Sequence, residues 1–233
     1  MAGTLAGSVP KHNHNPMIKN LIFDFGKVLV DYDFEAFFRH YIPDTARRRA
    51  FTPVLYNEEV QRLLDREEQP FDNIIEDLVR KHPAFEPEIR IFQQHYCELV
   101  TYEVAGMREL LARLRQEGYR LYGLTNWCRK VYHTMEQYGI FRLLDGQVIS
   151  SEEHIIKPEP GIYHTLFNRF GLVPEECVFT DDRPENIEAG RALGMEGIVF
   201  RHTAQYEREL RDIIAARRHI CDINKESDGQ PAG

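Results

Sequence analysis

The sequence predicts an α/β protein, a Rossmann-like parallel sheet with helices on both faces, carrying one inserted, small all-α unit. Three observations predict it. From residue 107 to residue 217, short apolar runs alternate with helical apolar periods. A further apolar run, Asn20–Phe25, stands apart near the N-terminus. Between the two lies a stretch, residues 34–100, whose periodicity is helical throughout.

Taken in order, Met1–Pro16 is rich in Gly, Pro, His and Asn and reads as a tail; His12 and His14 are tail histidines in that reading. Asn20–Phe25 is the first strand, with Leu21, Ile22 and Phe23 in one unbroken apolar run. In the insert, Phe34, Phe37, Phe38 and Tyr41 fall on one helix face, as do Phe71, Ile74, Ile75 and Leu78. Ile89, Phe92, Tyr96 and Leu99 mark another helix. After Gly106 a helix carrying Met107, Leu110, Leu111 and Leu114 stops at Gly118. Strands at Arg120–Thr125, Gln147–Ser150, Cys177–Thr180 and Gly197–Phe200 then alternate with helices at Lys130–Tyr138, Pro160–Phe170, Pro184–Leu193 and Tyr206–Arg217. Such alternation demands right-handed crossovers and a parallel sheet. The domain reading is a tail over 1–17, an α/β core over 18–32 and 101–223, a helical cap over 33–100, and a tail over 224–233.

Composition bounds the function. A 233-residue chain buries roughly 70–75% of its unfolded surface and needs no disulfide staples. Its 29 basic and 37 acidic side chains give a net charge of −8, which disfavours nucleic acid as a partner. No stretch approaches the ~20 apolar residues of a membrane span, and no secretory signal opens the chain. Cys97, Cys128, Cys177 and Cys221 are scattered, without a CxxC pair; buried thiols in a reducing cytoplasm are the expectation.

In open parallel sheets, ligands bind at the carboxyl ends of the strands. Asp24 ends the first strand, followed by Gly26, which permits an unusual turn. Thr125-Asn126 ends the second; a hydroxyl with adjacent N–H groups suits an anionic oxygen, and a helix cap is the plain alternative. Lys157 follows the third strand, and Asp181-Asp182 ends the fourth. Adjacent carboxylates repel unless a cation compensates, and Mg²⁺ takes one or two carboxylates plus a substrate phosphate. A carboxylate, a hydroxyl, a lysine and an acidic pair at one sheet edge match phosphoryl transfer through an aspartyl phosphate, with Lys157 neutralising charge and Thr125 orienting phosphoryl oxygens.

With these motifs in this order, the chain from about Asn20 to Arg217 resembles the haloacid dehalogenase-like (HAD) superfamily hydrolases. The resemblance implies a Mg²⁺-dependent phosphatase of a small phosphorylated metabolite, with Asp24 as nucleophile and Thr125, Asn126 and Lys157 on the phosphate. It implies metal ligation by Asp24, the Gly26 carbonyl and Asp182, with Asp181 and Asn186 beside the metal. The insert matches that family's small helical cap. One departure stands out: most relatives carry a second aspartate, the proton donor, where this chain has Gly26. DFGKVLVD resembles an Asp-x-Gly branch that includes hexose 1-phosphate phosphatases. Asp31, Asp33 or a cap carboxylate are candidates to supply the proton. A regulator that lost turnover, a 2-haloacid dehalogenase and a phosphomutase are the alternative readings. Trp127 and Lys27 are further candidates to line the pocket.

Overall fold

In a computed structural model describing residues 16–228, with side chains as far as His219, the central sheet has five parallel strands. They are β1 (Asn20–Phe23), β4 (Arg120–Thr125), β5 (Gly146–Ile149), β6 (Cys177–Asp181) and β7 (Glu196–Val199), and β2 and β3 form a separate ribbon. The order β5-β4-β1-β6-β7 sets β1 at the centre, and the chain builds outward from it in both directions. That reversal next to β1 is the crevice where open α/β sheets take their ligands.

The faces separate by alternation along each strand. Leu21, Phe23, Leu121, Val178 and Ile198 join one buried cluster, with Leu110 and Leu114 of α6 (Met107–Gln116) and Tyr206 and Leu210 of α11 (Thr203–Asp228). Ile22, Tyr122, Leu124, Val148 and Phe179 join the other, with Ile162, Tyr163 and Leu166 of α9 (Pro160–Phe170) and Ile187 of α10 (Pro184–Ala192). A sheet so covered on both sides needs the near-continuous apolar strands seen in the sequence. The short α7 (Val131–Gln137) and α8 (Ser150–Glu153) follow β4 and β5.

The insert consists of α1 (Phe34–Tyr41), α2 (Thr45–Leu55), α3 (Glu58–Arg66), α4 (Phe71–Lys81) and α5 (Glu86–His95). Asp33 caps α1, accepting from the Ala36 N–H at 2.9 Å, and Asn57 caps α3 through the Val60 N–H at 3.0 Å. Most of both apolar stripes is buried, including Phe38, Ile74 and Ile75, in one cluster continuous with Leu21 and Phe23 of the sheet, while Phe34 and Tyr41 are half-buried. At its neck the insert is closed by an antiparallel ribbon of β2 (Val30–Tyr32) and β3 (Val100–Glu103). The sequence reading missed this ribbon because three- and four-residue strands, one carrying a bulge, leave no legible alternation.

One further boundary differs. The last helix runs on to Asp228, where the sequence reading placed a tail from 224, because no Gly or Pro interrupts it before Gly229. The N-terminal tail with His12 and His14, and the end of the C-terminal tail, lie outside the described residues. Cys128 and Cys177 are buried free thiols and Cys97 is half-buried, while the Cys221 side chain lies outside the described ones.

Gly123 in β4 shows how tightly the sheet carries the site. A Cβ there would stand 2.4 Å from Cε1 of Phe25, the buried residue after Asp24, whose ring packs edge-on against Phe141 at 4.7 Å. Gly123→Ala is therefore expected to cost about 2 kcal/mol in denaturant melts, with an unchanged m-value.

Candidate active site

Every motif residue converges on the carboxyl edge of the sheet. Asp24 sits one residue past β1, its N–H still donating to the Thr180 carbonyl at 2.9 Å and its Oδ1 accepting the Phe25 N–H at 2.7 Å. Lys157 comes from the loop after α8. Its Nζ, almost wholly buried, lies 2.9 Å from Asp24 Oδ1 and 2.6 Å from Asp181 Oδ2, and donates to the Leu124 carbonyl at 2.8 Å. All three donor directions of the ammonium are taken, which fixes it between the two acids.

Asp181 is fully buried. Besides Lys157 it accepts from the Arg183 N–H at 2.9 Å, and Asn186 Nδ2 reaches both its oxygens at 3.1 and 3.0 Å. The Tyr163 hydroxyl donates to the Asn186 carbonyl at 2.8 Å and anchors that helix start. Asp24, Asp181 and Asp182 each offer an oxygen, all within 4.8 Å of one another.

The electrostatics follow from this crowding. Burial pushes the Asp24 carboxyl up to about 7; Lys157 pulls it down and Asp181 pushes it further up. Burial and the neighbouring Asp181 raise Asp182 as well. Burial works against the Lys157 ammonium, yet Asp181 and Asp24 together hold it charged above its ordinary value. Three clustered carboxyls against one ammonium leave room for more positive charge. The donor set suits a hard divalent cation: carboxylate oxygens from three residues, with the buried Asn186 Oδ1 lacking a hydrogen-bond partner among the described residues. Thr125 Oγ1 is likewise buried and without a partner, at the end of β4.

The sequence reading put Asn126 at the phosphate through the N–H groups that follow the Thr125 hydroxyl, and its side-chain amide has a separate task. Nδ2 donates to the Lys157 carbonyl at 3.0 Å, and Oδ1 accepts the Lys157 N–H at 2.7 Å. Asn126 is the clasp that positions the lysine. The unusual backbone turn assigned to Gly26 lies at the next residue: Lys27 has φ of 62° and Gly26 is absent from the positive-φ residues. The Lys27 ammonium reaches Asp31 and the Tyr32 carbonyl on the ribbon, so it is tied there and does not face a substrate.

Gly26 is required by a close approach instead. A Cβ at position 26 would lie 2.9 Å from Cε1 and 3.6 Å from the hydroxyl of Tyr32. The Tyr32 ring occupies the space that a side chain at position 26 would take. It is wedged edge-on between Phe34 at 5.2 Å and the buried Trp127 at 6.4 Å. Burial, with the nearby Asp24 and Asp182, raises the Tyr32 phenol and keeps it protonated. Sequence reasoning missed Tyr32, because a tyrosine within VDYD carries no signal of what it faces.

It also missed how the insert grips this edge. Ser150 Oγ donates to the Asp65 carbonyl at 2.5 Å and accepts the Trp127 N–H at 2.9 Å. Arg66 donates to the His154 carbonyl at 2.8 Å and pairs with Glu159, and Glu67 accepts the Arg129 N–H at 2.5 Å. The end of α3 thus rests on the loops that follow β4 and β5.

A family model for haloacid dehalogenase-like hydrolases matches residues 18–194. The chain belongs to that family, a class of hydrolytic enzymes. The match spans most of the described residues and includes every motif residue above. Among curated relatives, flavin mononucleotide hydrolase 1 of Arabidopsis thaliana is 27% identical over 46% of this chain and 44% of its own length. The D-ribitol-5-phosphate phosphatase of Bacteroides thetaiotaomicron is 25% identical over 85% of this chain and 99% of its own. The chain thus spans under half of the first relative and nearly all of the second. A HAD family enzyme of Bacteroides thetaiotaomicron, solved with magnesium and inorganic phosphate, superposes with a TM-score of 0.65 at 20% identity, covering 79% of this chain and 95% of that one. That likeness establishes the shared fold.

Lys157→Met would leave Asp24 and Asp181 as uncompensated buried acids. It is expected to destabilise the metal-free protein by about 3 kcal/mol at neutral pH in denaturant melts. Gly26→Asp is expected to lower stability by about 1–2 kcal/mol by displacing Tyr32. Gly26→Asp combined with Tyr32→Ala should regain part of that loss in the same denaturant melts.

Proposed function

We infer that the protein is a Mg²⁺-dependent phosphomonoester hydrolase acting on a small phosphorylated metabolite, of which a sugar phosphate is the leading class. The observation that carries this reading is the Lys157 ammonium held between Asp24 and Asp181, with a third carboxyl, Asp182, alongside. The two curated relatives named above act on phosphorylated compounds, and the structural neighbour holds magnesium with phosphate, which supports the same class. A cytoplasmic setting suits the free thiols, and no described helix is long and apolar enough to cross a membrane.

In this reading Asp24 attacks phosphorus and forms an aspartyl phosphate, which water then hydrolyses. Lys157 lies against the attacking carboxylate and offsets the charge that gathers on the phosphoryl oxygens. The Thr125 hydroxyl, buried and free to donate, orients one of those oxygens. Asn126 keeps Lys157 in register through its backbone, and Asn186 holds Asp181 in place. Mg²⁺ would be held by Asp24, the Gly26 carbonyl and Asp182, with Asp181 and Asn186 beside it, and would supply charge neutralisation for a dianionic substrate. The insert, residues 33–100, serves as a cap over the core formed by 18–32 and 101–223, and excludes water from that edge. Three clustered acids favour this over a 2-haloacid dehalogenase, which needs no metal. The regulator reading rests on Gly26 alone.

Phosphate release is measured from hexose 1- and 6-phosphates, ribitol 5-phosphate, phosphoglycolate and nucleotides. Release should require Mg²⁺, stop with EDTA, and fall to background in Asp24→Asn. Release that survives Asp24→Asn contradicts the mechanism. No release from any compound, with BeF₃⁻ and Mg²⁺ still bound, favours the regulator.

A further inference from the structure

With Gly26 in the proton donor's place, the chemistry lacks a group to protonate the leaving oxygen. The ribbon acids are already engaged. Asp31 accepts from Lys27 and Tyr102, and against the upward push of partial burial these contacts hold it below the ordinary carboxylate value. Asp33 caps α1. Most acids of the insert are tied as well: Glu35 to Arg48, Glu76 to Arg90, Asp77 to Arg80, Glu88 to Arg47, and Glu67 to the Arg129 N–H. The Tyr32 phenol, held protonated above its ordinary value, cannot serve as a base in the second half-reaction near neutral pH.

Asp65 differs from all of these. It lies in the last turn of α3, where its carbonyl receives Ser150 Oγ and its neighbours Arg66 and Glu67 are fastened to the loops after β4 and β5. Three residues in a row therefore anchor this turn over the catalytic edge. The carboxyl is partly buried and makes no side-chain hydrogen bond or ion pair among the described residues. The charges of Lys157 and Arg183 on the core loops act on it, and its own charge acts on Tyr32 of the ribbon, Tyr96 in the segment before β3 and Cys128 in the loop after β4. The ring of His154 reaches the carbonyl of the following residue, Arg66, at 2.8 Å.

We propose that Asp65, on the inserted helix α3, is the general acid–base that replaces the absent aspartate at position 26. This rests on the phosphomonoesterase reading. As Asp24 Oδ bonds to phosphorus and the ester P–O bond breaks, the Asp65 proton passes to the leaving oxygen and an alcohol departs. Asp65, now a carboxylate, takes a proton from the water that attacks the aspartyl phosphate. The Asp24–phosphorus bond breaks, and inorganic phosphate leaves with Asp65 reprotonated. Burial lifts the Asp65 carboxyl to about 7, with Lys157 and Arg183 pulling against it, so both protonation states are populated near neutrality. Holding the acid there works against stability. A carboxyl raised in the folded state has its favourable contribution below its unfolded value, and that contribution is lost as pH climbs towards 7.

The test uses wild type, Asp65→Asn, Asp65→Glu and Asp24→Asn with two aryl phosphates. p-Nitrophenyl phosphate releases a stable anion; phenyl phosphate needs its leaving oxygen protonated. Asp65→Asn should lose about 10²-fold in kcat on phenyl phosphate and far less on p-nitrophenyl phosphate, with KM little changed. Its kcat should also lose the limb that falls as pH rises past neutrality, while Asp65→Glu restores part of the phenyl phosphate rate. The Tm of Asp65→Asn should be no lower than wild type at pH 8, which excludes simple unfolding. An equal loss on both substrates, or none, with wild type active, overturns the role of Asp65 alone. A wild type that matches Asp24→Asn on both substrates overturns the phosphomonoesterase reading, and this proposal with it.

Discussion

The buried ammonium of Lys157, shared between Asp24 and Asp181, is the interaction on which the site depends. Without it, burial and the neighbouring Asp181 would favour the neutral form of the Asp24 carboxyl. One lysine also cross-links three separate parts of the chain: the end of β1, the end of β6 and the carbonyl at the end of β4. A single side chain thereby ties the sheet's central strand to both its neighbours. Pairs of this kind contribute little net stability once desolvation is counted. What the lysine confers is position, since the nucleophile, its counter-charge and the acidic pair are held in one arrangement.

The rest of the architecture serves that arrangement. Because β1 is central and flanked by β4 and β6, three motif-bearing strands end side by side. The Asn126 clasp brings the motif on the β5 side across to them. The helical insert leaves the core through the β2–β3 ribbon and returns its α3 end to the same edge. At that edge the ribbon contributes Tyr32 and the insert contributes Asp65. The absence of an aspartate at 26 is thus coupled to packing: a tyrosine fills the space there, and the untied, partly buried Asp65 belongs to another element.

Much of this was legible in the sequence, for physical reasons. Strands buried on both faces must be continuously apolar, so β4 at Arg120–Thr125 and helix α9 at Pro160–Phe170 were read with their bounds. Residues at strand ends are placed by topology alone, so Asp24, Thr125 and the Asp181–Asp182 pair could be brought together without coordinates, with Lys157 in the loop that follows the third strand of the motif series. Side-chain partners could not. Whether Asn126 turns to the phosphate or to Lys157 depends on a loop's path, and no periodicity encodes that path. The same holds for Tyr32, whose ring meets Gly26 through a tight turn centred on the left-handed Lys27. Asp65 sits among several acids on a polar helix, and its distinction arises from tertiary burial.

The most direct test of the central claim is the identity of the phosphorylated residue. The enzyme is quenched in acid during turnover with a phosphorylated substrate, reduced with borohydride and mapped by peptide mass spectrometry. Homoserine at position 24, and at none of the other acids of the site, is the predicted result, because borohydride converts an aspartyl phosphate to that residue. Phosphate release with an unmodified Asp24, or with the label on Asp181, Asp182 or Asp65, would contradict it.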